Sequence, residues 1–331
     1  MSRIIVLLSL VFLLFACEQK ETYVRLNGFT MGTTYQITLK KNQIDTVKLQ
    51  QKVDLRLAEI NQLMSTYIDD SELSLFNQNQ TGECIKLSQD TRLVIESAIQ
   101  VAKETRGKFD VTLAPLIEVW GFDKKDMHGQ VPSQAVVEQL LRSIGSDKIT
   151  VEKDCIAKKS TTLSINLSAI AKGYGVDEIA RIVENEGGAH YLVEIGGEVI
   201  TKGVNSRNKP WRIAIESATL DQRTIQKTLT PNGLGVATSG DYRNYFEKDG
   251  KRYSHTIDPT TGYPITHNLA SITVLHPKVM FADAYATAMM VMGPEESLAF
   301  ANRHKLAIFM LVKTEEGFKE VFSDAFKPFI N

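Results

Sequence analysis

Hydrophobic residues recur along the chain at spacings that predict a series of helices and strands. Within residues 47–64, Val53, Leu57 and Ile60 return every three or four positions, as expected for one face of a helix. Residues 35–39 instead alternate apolar with polar side chains, which predicts a strand. A strand followed by a helix therefore opens the folded region.

The same two patterns continue towards the end of the chain. Helices are predicted at residues 91–105, 133–143, 169–185, 281–292 and 294–304. Strands are predicted at residues 191–195, 211–216, 234–238, 270–275 and 307–312, and a strand end is predicted at 164–167. Ser133 stands at the expected N-cap of its helix, where a serine side chain commonly accepts a backbone hydrogen bond.

The order of these elements indicates the fold class. Helices and strands come in unequal blocks, which favours an α+β fold over a regular doubly wound sheet. No internal repeat, low-complexity segment or long Pro/Gly/Ser linker divides the chain. Although 331 residues are enough for two ordinary domains, we expect one continuous domain over residues 25–331, with mixed sheets and flanking helices.

The first residues are typical of a bacterial export signal rather than of a folded domain. A basic residue precedes an apolar run at residues 4–16, which Cys17 follows. This run is too short for a stable transmembrane helix, which needs ~20 residues, but it suits a secretory signal. Since residues 14–17 resemble a lipobox, we expect a lipoprotein signal peptide at 1–16, a lipid on Cys17 and a tether at 17–24. A plain secretory peptide with an incidental cysteine is the alternative.

This reading of the N-terminus predicts a location. A lipid-anchored protein would lie in the cell envelope, facing the periplasm or the exterior, and the sequence does not choose between the inner and outer membranes. If Cys17 carries the lipid, only Cys84 and Cys155 remain. Neither has a second Cys or His at metal-binding spacing, so we interpret both as structural, with a bridge between them possible.

Composition and charge narrow the classes of function. Hydrophobic residues make up 43% of the chain and charged residues 23%, which excludes a disordered tail and a multi-span membrane protein. The 38 Lys and Arg nearly balance the 39 Asp and Glu, so no global positive field would gather nucleic acid. We therefore expect no nucleic-acid partner, and any anionic ligand must be bound locally.

Glycine-rich turns do not form a familiar nucleotide-binding motif. No segment matches G-x-x-x-x-G-K-[ST]. Gly173-Tyr174-Gly175 lacks the third glycine of the dinucleotide fingerprint. The two common nucleotide-binding folds are therefore not expected.

His255 is the histidine with the most suggestive surroundings. It stands where a short strand runs into a turn rich in Pro and Gly at residues 259–264. An imidazole presented to a cleft in this way could take a proton from a hydroxyl nucleophile. A hydrogen-bonded structural histidine is an equally good interpretation of this position.

Asp283 and Thr287 are four residues apart on a helix of small residues and therefore share one helix face. A carboxylate and a hydroxyl are hard oxygen ligands that suit Mg²⁺ better than zinc. The alternative is that Asp283 caps the helix N-terminus and Thr287 faces along the helix.

Two further segments could contact a ligand. The junction at residues 165–175 offers free backbone groups, and its Lys172 could meet a phosphate or a ribose hydroxyl. Aromatic residues are concentrated at 107–122, and Tyr67 adds another ring. Such rings could sandwich a planar heterocycle, although packing at the edge of the core is the commoner reason for them.

Taken in order, eight short motifs make the chain resemble the ApbE family, the FAD:protein FMN transferases. The motifs are MGTTY (31–35), SELSLFN (71–77), KFDVTLAPL (108–116) with WGF (120–122), NLSAIAKGYG (166–175), EIGGE (194–198), TSGDYR (238–243), HTIDPTTGYP (255–264) and ADAYAT (282–287). They cover nearly all of the chain after the predicted signal peptide.

The resemblance implies a Mg²⁺-dependent enzyme that joins the FMN half of FAD to a Thr or Ser hydroxyl of a target protein through a phosphoester and releases AMP. It implies that Asp283, Thr287 and the carbonyl of Ala169 bind Mg²⁺ and that His255 stands near the pyrophosphate. Our hypothesis is that His255, or Asp283 beside the metal, accepts the proton of the target hydroxyl. The residues implied for the FAD site are Met31, Tyr67, Lys108, Phe109, Asp110, Asn166, Lys172 and Ile257. The expected acceptor is a subunit of a membrane redox complex with a Ser/Thr flavinylation motif.

Other functions use the same residues. A metal-dependent FAD pyrophosphatase would give FMN and AMP, with water as the nucleophile, and a non-catalytic flavin-binding lipoprotein would only hold FAD. A pure binder has no need of a hard-cation pair aimed at the phosphates. Many relatives carry Asp at the position of Asn166, so we expect this amide to contact the ligand rather than the metal.

Overall fold

The computed structural model describes residues 22–122, 131–217, 225–231, 233–241 and 245–330. Within them the α-helices are α1 (Thr46–Met64), α2 (Glu72–Gln78), α3 (Gln89–Glu104), α4 (Ala114–Val119), α5 (Gln134–Leu141), α6 (Ala171–Asn185), α7 (Val279–Met292) and α8 (Pro294–His304). The strands are β1 (Tyr23–Thr30), β2 (Thr33–Lys40), β3 (Ile149–Val151), β4 (Ile156–Lys158), β5 (Tyr191–Ile195), β6 (Glu198–Lys202), β7 (Ile213–Glu216), β8 (Ile225–Leu229), β9 (Gly235–Gly240), β10 (Tyr245–Lys248), β11 (Lys251–Ser254), β12 (Leu269–His276), β13 (Ala307–Thr314) and β14 (Gly317–Phe322).

One large sheet organises the fold. Its strand order is β1-β2-β5-β6-β9-β12-β13-β14, and every neighbouring pair is antiparallel. The pairs β3-β4, β7-β8 and β10-β11 form separate two-stranded ribbons. Helices α6 and α7 contact each other, and α7 also packs on β9 and β12. The α+β prediction is confirmed.

Helix α7 is buried in the core, and its sequence contains four alanines. Ala282, Ala284, Ala286 and Ala288 are fully buried. Alanine has the highest intrinsic helix propensity, and its small side chain lets the α7 backbone lie close to the sheet and to α6. The polar groups of α7 that face inward are therefore held close to α6 and β9.

Most predicted elements are confirmed to within a few residues at each end. The predicted strand 191–195 is β5, and the predicted helix 294–304 is α8 with the same bounds. Ser133 occupies the N-cap position of α5, but its side chain makes no capping hydrogen bond. Asp283 lies inside α7 rather than at its N-cap, so the capping alternative for Asp283 is wrong.

The strand end predicted at residues 164–167 is also wrong. These residues form no strand, because Ile165 pairs with a side chain, that of Asn77, through both its N–H and its carbonyl, each at 2.8 Å. The apolar residues alternate here because Ile165 and Leu167 are both buried. A loop that crosses the core can bury alternate residues as readily as a strand can.

The N-terminal predictions fall mostly outside the described residues. The signal peptide 1–16 and Cys17 are not described, whereas β1 begins at Tyr23, within the tether predicted at 17–24. In the part of the chain that is described, no helix combines the length and the apolar character needed to cross a membrane.

Cys84 and Cys155 form a disulfide, with their Cα atoms 5.4 Å apart. The bond lies beside the bridge between Ile85 and Ile156 at the start of β4. The interpretation of both cysteines as structural is consistent with this bond, which closes a loop across a sequence separation of 71.

Candidate active site

A cavity of about 650 Å³ lies where α6, α7, the large sheet and two loops meet. Residues predicted for the site that line it are Lys108, Phe109, Asp110, Asn166, Ala169, Lys172, His255, Ile257, Asp283 and Thr287. The fold thus brings together segments from residue 108 to residue 287. A cavity of this size is within the range of small-molecule and cofactor sites.

The first turn of helix α7 is capped by a side chain of α6. Lys278, at the N-cap of α7, supplies no side-chain acceptor. Instead, Asp177 of α6 accepts the backbone N–H groups of Val279 at 2.9 Å and Met280 at 3.0 Å. Two of the orphan donors at the helix start are thereby satisfied from a neighbouring helix.

Gly173 fixes the distance between α6 and α7 at the cavity. A Cβ atom at this position would lie 2.5 Å from the carbonyl oxygen of Val279 and 2.7 Å from the Cα of Met280. Only glycine permits this approach. As a result, the backbone N–H of Gly173 donates a hydrogen bond to Oδ2 of Asp283 at 3.0 Å.

Three charged groups that line the cavity lie close together. Nζ of Lys172 lies 2.8 Å from Oε2 of Glu198 and 4.0 Å from Oδ1 of Asp283. Burial raises the pKa of both carboxyl groups, and the Lys172 ammonium opposes that rise. Burial favours the neutral amine of Lys172, but the two carboxylates outweigh it and raise the pKa of Lys172 above its ordinary value.

The oxygen atoms near this group fit a hard divalent cation. Asp283 is 4% exposed, and its Oδ2 accepts a backbone hydrogen bond from Gly173. Thr287, one turn further along α7, lines the same cavity, and its Oγ1 lies 3.5 Å from Oγ of Ser239. Ala169 lines the cavity from the turn that precedes α6. A carboxylate, a hydroxyl and a backbone carbonyl are ligands that Mg²⁺ accepts.

The loop that carries Asn166 is positioned by Asn77, at the end of the SELSLFN motif. The side chain of Asn77 binds both backbone groups of Ile165, and the N–H of Asn166 donates to the carbonyl of Val111 at 2.7 Å. Oδ1 of Asn166 accepts the N–H of Ser168 at 2.9 Å. The Asn166 amide therefore caps its own loop while lining the cavity.

Residues 108–110 also line the cavity and differ in their roles. Nζ of Lys108 lies 3.2 Å from Oδ2 of Asp258, so it forms an ion pair with the turn that follows His255. Phe109 is almost fully buried in the core. The carboxylate of Asp110 accepts four hydrogen bonds from the backbone and hydroxyl groups of Thr112 and Ser146. Asp110 thus holds the loop in place as well as lining the cavity.

His255 follows directly after β11 and lines the cavity. The turn after it is stabilised by Asp258, which accepts the N–H of Thr260 at 2.8 Å. Nε1 of Trp120 donates to the carbonyl of Gly262 at 2.9 Å, and Trp120 is fully buried. The interpretation of this aromatic segment as core packing is therefore correct for Trp120, which supports the His255 turn rather than a ligand.

Two residues predicted for the FAD site do not line the cavity. Met31 packs against α6, where a Cβ at Gly175 would lie 3.0 Å from its Cε. Tyr67 is 73% exposed in the loop between α1 and α2. Their predicted contact with FAD stays a prediction.

Sequence reasoning missed the role of Glu198. Glu198 lies within the EIGGE motif but is not among the residues predicted for the site, although it is 4% exposed and lines the cavity. The available signal was a carboxylate placed directly after a Gly-Gly turn between two apolar strands. Such a residue begins a strand next to the hairpin turn, where its side chain can face a pocket.

Comparisons with known proteins show the family of the chain. A sequence model of the ApbE family matches residues 31–310. The chain belongs to the ApbE family.

Several relatives are similar over almost their whole length. An FAD:protein FMN transferase of Vibrio cholerae is 44% identical over 99% of this chain and 98% of its own, and one of Haemophilus influenzae is 40% identical over 98% and 96%. The solved flavin transferase ApbE of Vibrio cholerae superimposes with a TM-score of 0.88 over 94% of this chain and 100% of its own, at 44% identity. The apo flavinyl transferase ApbE of Pseudomonas stutzeri gives 0.87 at 36% identity, over 94% and 97%.

Proposed function

We propose that the protein is an enzyme that transfers FMN from FAD to a Thr or Ser hydroxyl of an acceptor protein. The hydroxyl oxygen forms a bond to the FMN phosphorus, the bond from that phosphorus to the bridging oxygen of the pyrophosphate breaks, and AMP leaves with that oxygen. The observation that carries the proposal is the cavity in which hard oxygen donors, Lys172 and His255 meet, in a chain of the ApbE family.

The proposed metal is Mg²⁺, held by Asp283, Thr287 and the carbonyl of Ala169. A divalent cation there would withdraw charge from the pyrophosphate and so reduce its repulsion of a nucleophile. The fit of the donor set supports this assignment, since the Asp283 carboxylate is buried and directed towards the cavity.

The protein's own residues would bind and orient FAD. Lys108 and Lys172 place two ammonium groups on the cavity wall, where they suit an anionic pyrophosphate. Phe109, Asp110, Asn166 and Ile257 would complete the wall around the nucleotide. Met31 and Tyr67 would contact FAD from outside the cavity.

His255 is the better of the two proposed proton acceptors. Oδ2 of Asp283 is already held by the N–H of Gly173, and Oδ1 faces Lys172. The imidazole of His255 lines the same cavity from a separate turn. His255 would therefore take the proton from the acceptor hydroxyl as the oxygen attacks.

The location of the enzyme is also a proposal. A lipid on Cys17, after removal of residues 1–16, would hold it on the outer side of a membrane of the cell envelope, with residues 17–24 as the tether. An acceptor in a membrane redox complex would then lie on the same membrane surface. The proposed function requires neither a nucleic-acid partner nor attraction of a ligand by the net charge of the protein.

Intact-mass analysis tests the reaction directly. The acceptor is a soluble domain of a membrane redox-complex subunit that carries a Ser/Thr flavinylation motif, incubated with FAD, Mg²⁺ and the chain from residue 22. We expect a mass gain of one FMN residue that EDTA and Asp283→Asn abolish. Thr287→Ser keeps a ligand oxygen and should retain transfer, whereas Thr287→Val has the same volume without one and should lose it.

The other products separate the alternatives. An unchanged acceptor mass with accumulation of FMN and AMP would establish an FAD pyrophosphatase and contradict the transferase. If FAD is still intact after incubation with the wild-type protein, the remaining alternative is a protein that binds flavin without catalysis.

A further inference from the structure

Glu198 is a buried carboxylate whose main partner in the cavity is Lys172. Nζ of Lys172 lies 2.8 Å from Oε2 of Glu198. Glu198 lies at the start of β6, directly after the Gly196-Gly197 turn. The ion pair therefore joins the β5-β6 hairpin to the first turn of α6.

Lys172 stands between two carboxylates at unequal distances. Oε2 of Glu198 is at 2.8 Å, whereas Oδ1 of Asp283 is at 4.0 Å. The other oxygen of Asp283 is held by Gly173. The oxygen of Asp283 that faces Lys172 is thus close to the ammonium but not in contact with it.

The hairpin turn permits this arrangement because it contains Gly196. A Cβ at Gly196 would lie 3.4 Å from Cδ of Lys172 and 2.8 Å from Cγ2 of Thr33. The backbone of Gly196 is also left-handed, with φ of +59°, which favours glycine. The Lys172 stem therefore passes close to the turn on its way to Glu198.

We propose that Glu198 is a positioning residue that holds the Lys172 ammonium away from Asp283 and so keeps the Asp283 carboxylate available to a divalent cation. Without the charge of Glu198, the nearest carboxylate for Lys172 is Asp283. Because attraction between charges rises as their separation falls, Lys172 would close on Asp283 and compete with the cation. This inference rests on the proposed metal site and adds a residue that controls it.

Direct binding of Mn²⁺ tests the inference without turnover. Mn²⁺ prefers the same oxygen ligands as Mg²⁺, and its free concentration can be followed by electron paramagnetic resonance in the absence of FAD. We expect Glu198→Gln to weaken Mn²⁺ binding about tenfold, which corresponds to ~1.4 kcal/mol. Glu198→Asp keeps the charge and should restore most of the affinity.

A double-mutant cycle identifies Lys172 as the intermediary. In a Lys172→Met background the competing ammonium is gone, so adding Glu198→Gln should not weaken Mn²⁺ binding further. Glu194→Gln is the matched control: Glu194 lies on the same hairpin and accepts the N–H of Gly197 at 2.7 Å. It should bind Mn²⁺ as the wild type does. Circular dichroism checks that each variant is folded.

Three outcomes would overturn the inference. Wild-type affinity in Glu198→Gln would show that Glu198 does not control the site. Equal weakening by Glu198→Gln with and without Lys172 would show that Glu198 acts on the cation itself. Absence of Mn²⁺ binding by the wild type would contradict both the inference and the proposed metal site. FMN transfer measured with and without metal would then show whether the proposed function fails too. Transfer that is lost on metal removal would leave the metal-dependent function standing.

Discussion

Replacing Gly173 by Ala tests whether the close approach of α6 and α7 positions the Asp283 carboxylate. In a helix interior this change ordinarily stabilises a protein by roughly 0.5–1 kcal/mol, because glycine loses more conformational freedom on folding. Here the new Cβ would lie 2.5 Å from a backbone carbonyl of α7, whereas ordinary contact begins at 3.4 Å. The helices must therefore separate by about 0.9 Å.

The steric effect is the larger one. Overpacking against a rigid neighbour typically costs ~1–3 kcal/mol, so we expect Gly173→Ala to lower the free energy of unfolding in spite of the better helix propensity. The same separation displaces Asp283 from Gly173 and Lys172. Since a displacement of ~1 Å can lower a rate ~10²-fold, FMN transfer should fall by about that factor.

Urea unfolding and a transfer assay at saturating Mg²⁺ measure the two effects. Gly175→Ala is the matched control on α6, because its Cβ would meet the ends of two side chains, Met31 at 3.0 Å and Ile195 at 3.2 Å, rather than backbone. It should leave the free energy of unfolding nearly unchanged. A Gly173→Ala protein as stable and as active as the wild type would refute the argument that this contact sets the site geometry.

Three further predictions follow from other contacts. His255→Ala should lower FMN transfer ~10²- to 10⁴-fold if the imidazole is the general base, and unchanged transfer in single-turnover experiments with bound FAD would exclude that role. Reduction of the Cys84–Cys155 disulfide should lower the free energy of unfolding by ~2–4 kcal/mol, and the Cys84→Ala/Cys155→Ala protein should not respond to reductant. Burial raises the pKa of Asp177 from 3.8 to about 6, so the folded state binds this proton more tightly and the free energy of unfolding should fall as pH rises from about 4 to 6. Asp177→Asn should show a smaller fall over that range in urea titrations, and an identical slope would contradict the raised pKa.

The spacing of apolar residues correctly predicted those helices and strands that bury one face only. The β5 strand and α8 have the bounds expected from their apolar spacing, because one face of each packs on the core. Residues 164–167 show the limit of this reasoning, since burial on alternate positions does not require a strand. A single side chain, that of Asn77, pairs with Ile165 in place of a neighbouring strand, and no local pattern reveals such a partner 88 residues away.

The site was predictable where the residues formed a local pattern. Asp283 and Thr287 share a helix face by spacing alone, and both line the cavity. The resemblance to the ApbE family added Lys108 and Asn166, which periodicity does not connect with α7. Glu198 was missed because its importance comes from an ion pair with Lys172 that forms only when the β5-β6 hairpin and α6 are packed together.

The capping of α7 by Asp177 has a consequence for biosynthesis. The ribosome makes α6 about 100 residues before α7. Until α7 has been made, the Asp177 carboxylate lacks the two backbone N–H donors of Val279 and Met280. A chain that stopped before residue 279 would also leave uncovered the apolar face of the sheet on which α7 packs. Truncated products of this gene should therefore be retained by chaperones or degraded rather than accumulate as a partly active enzyme.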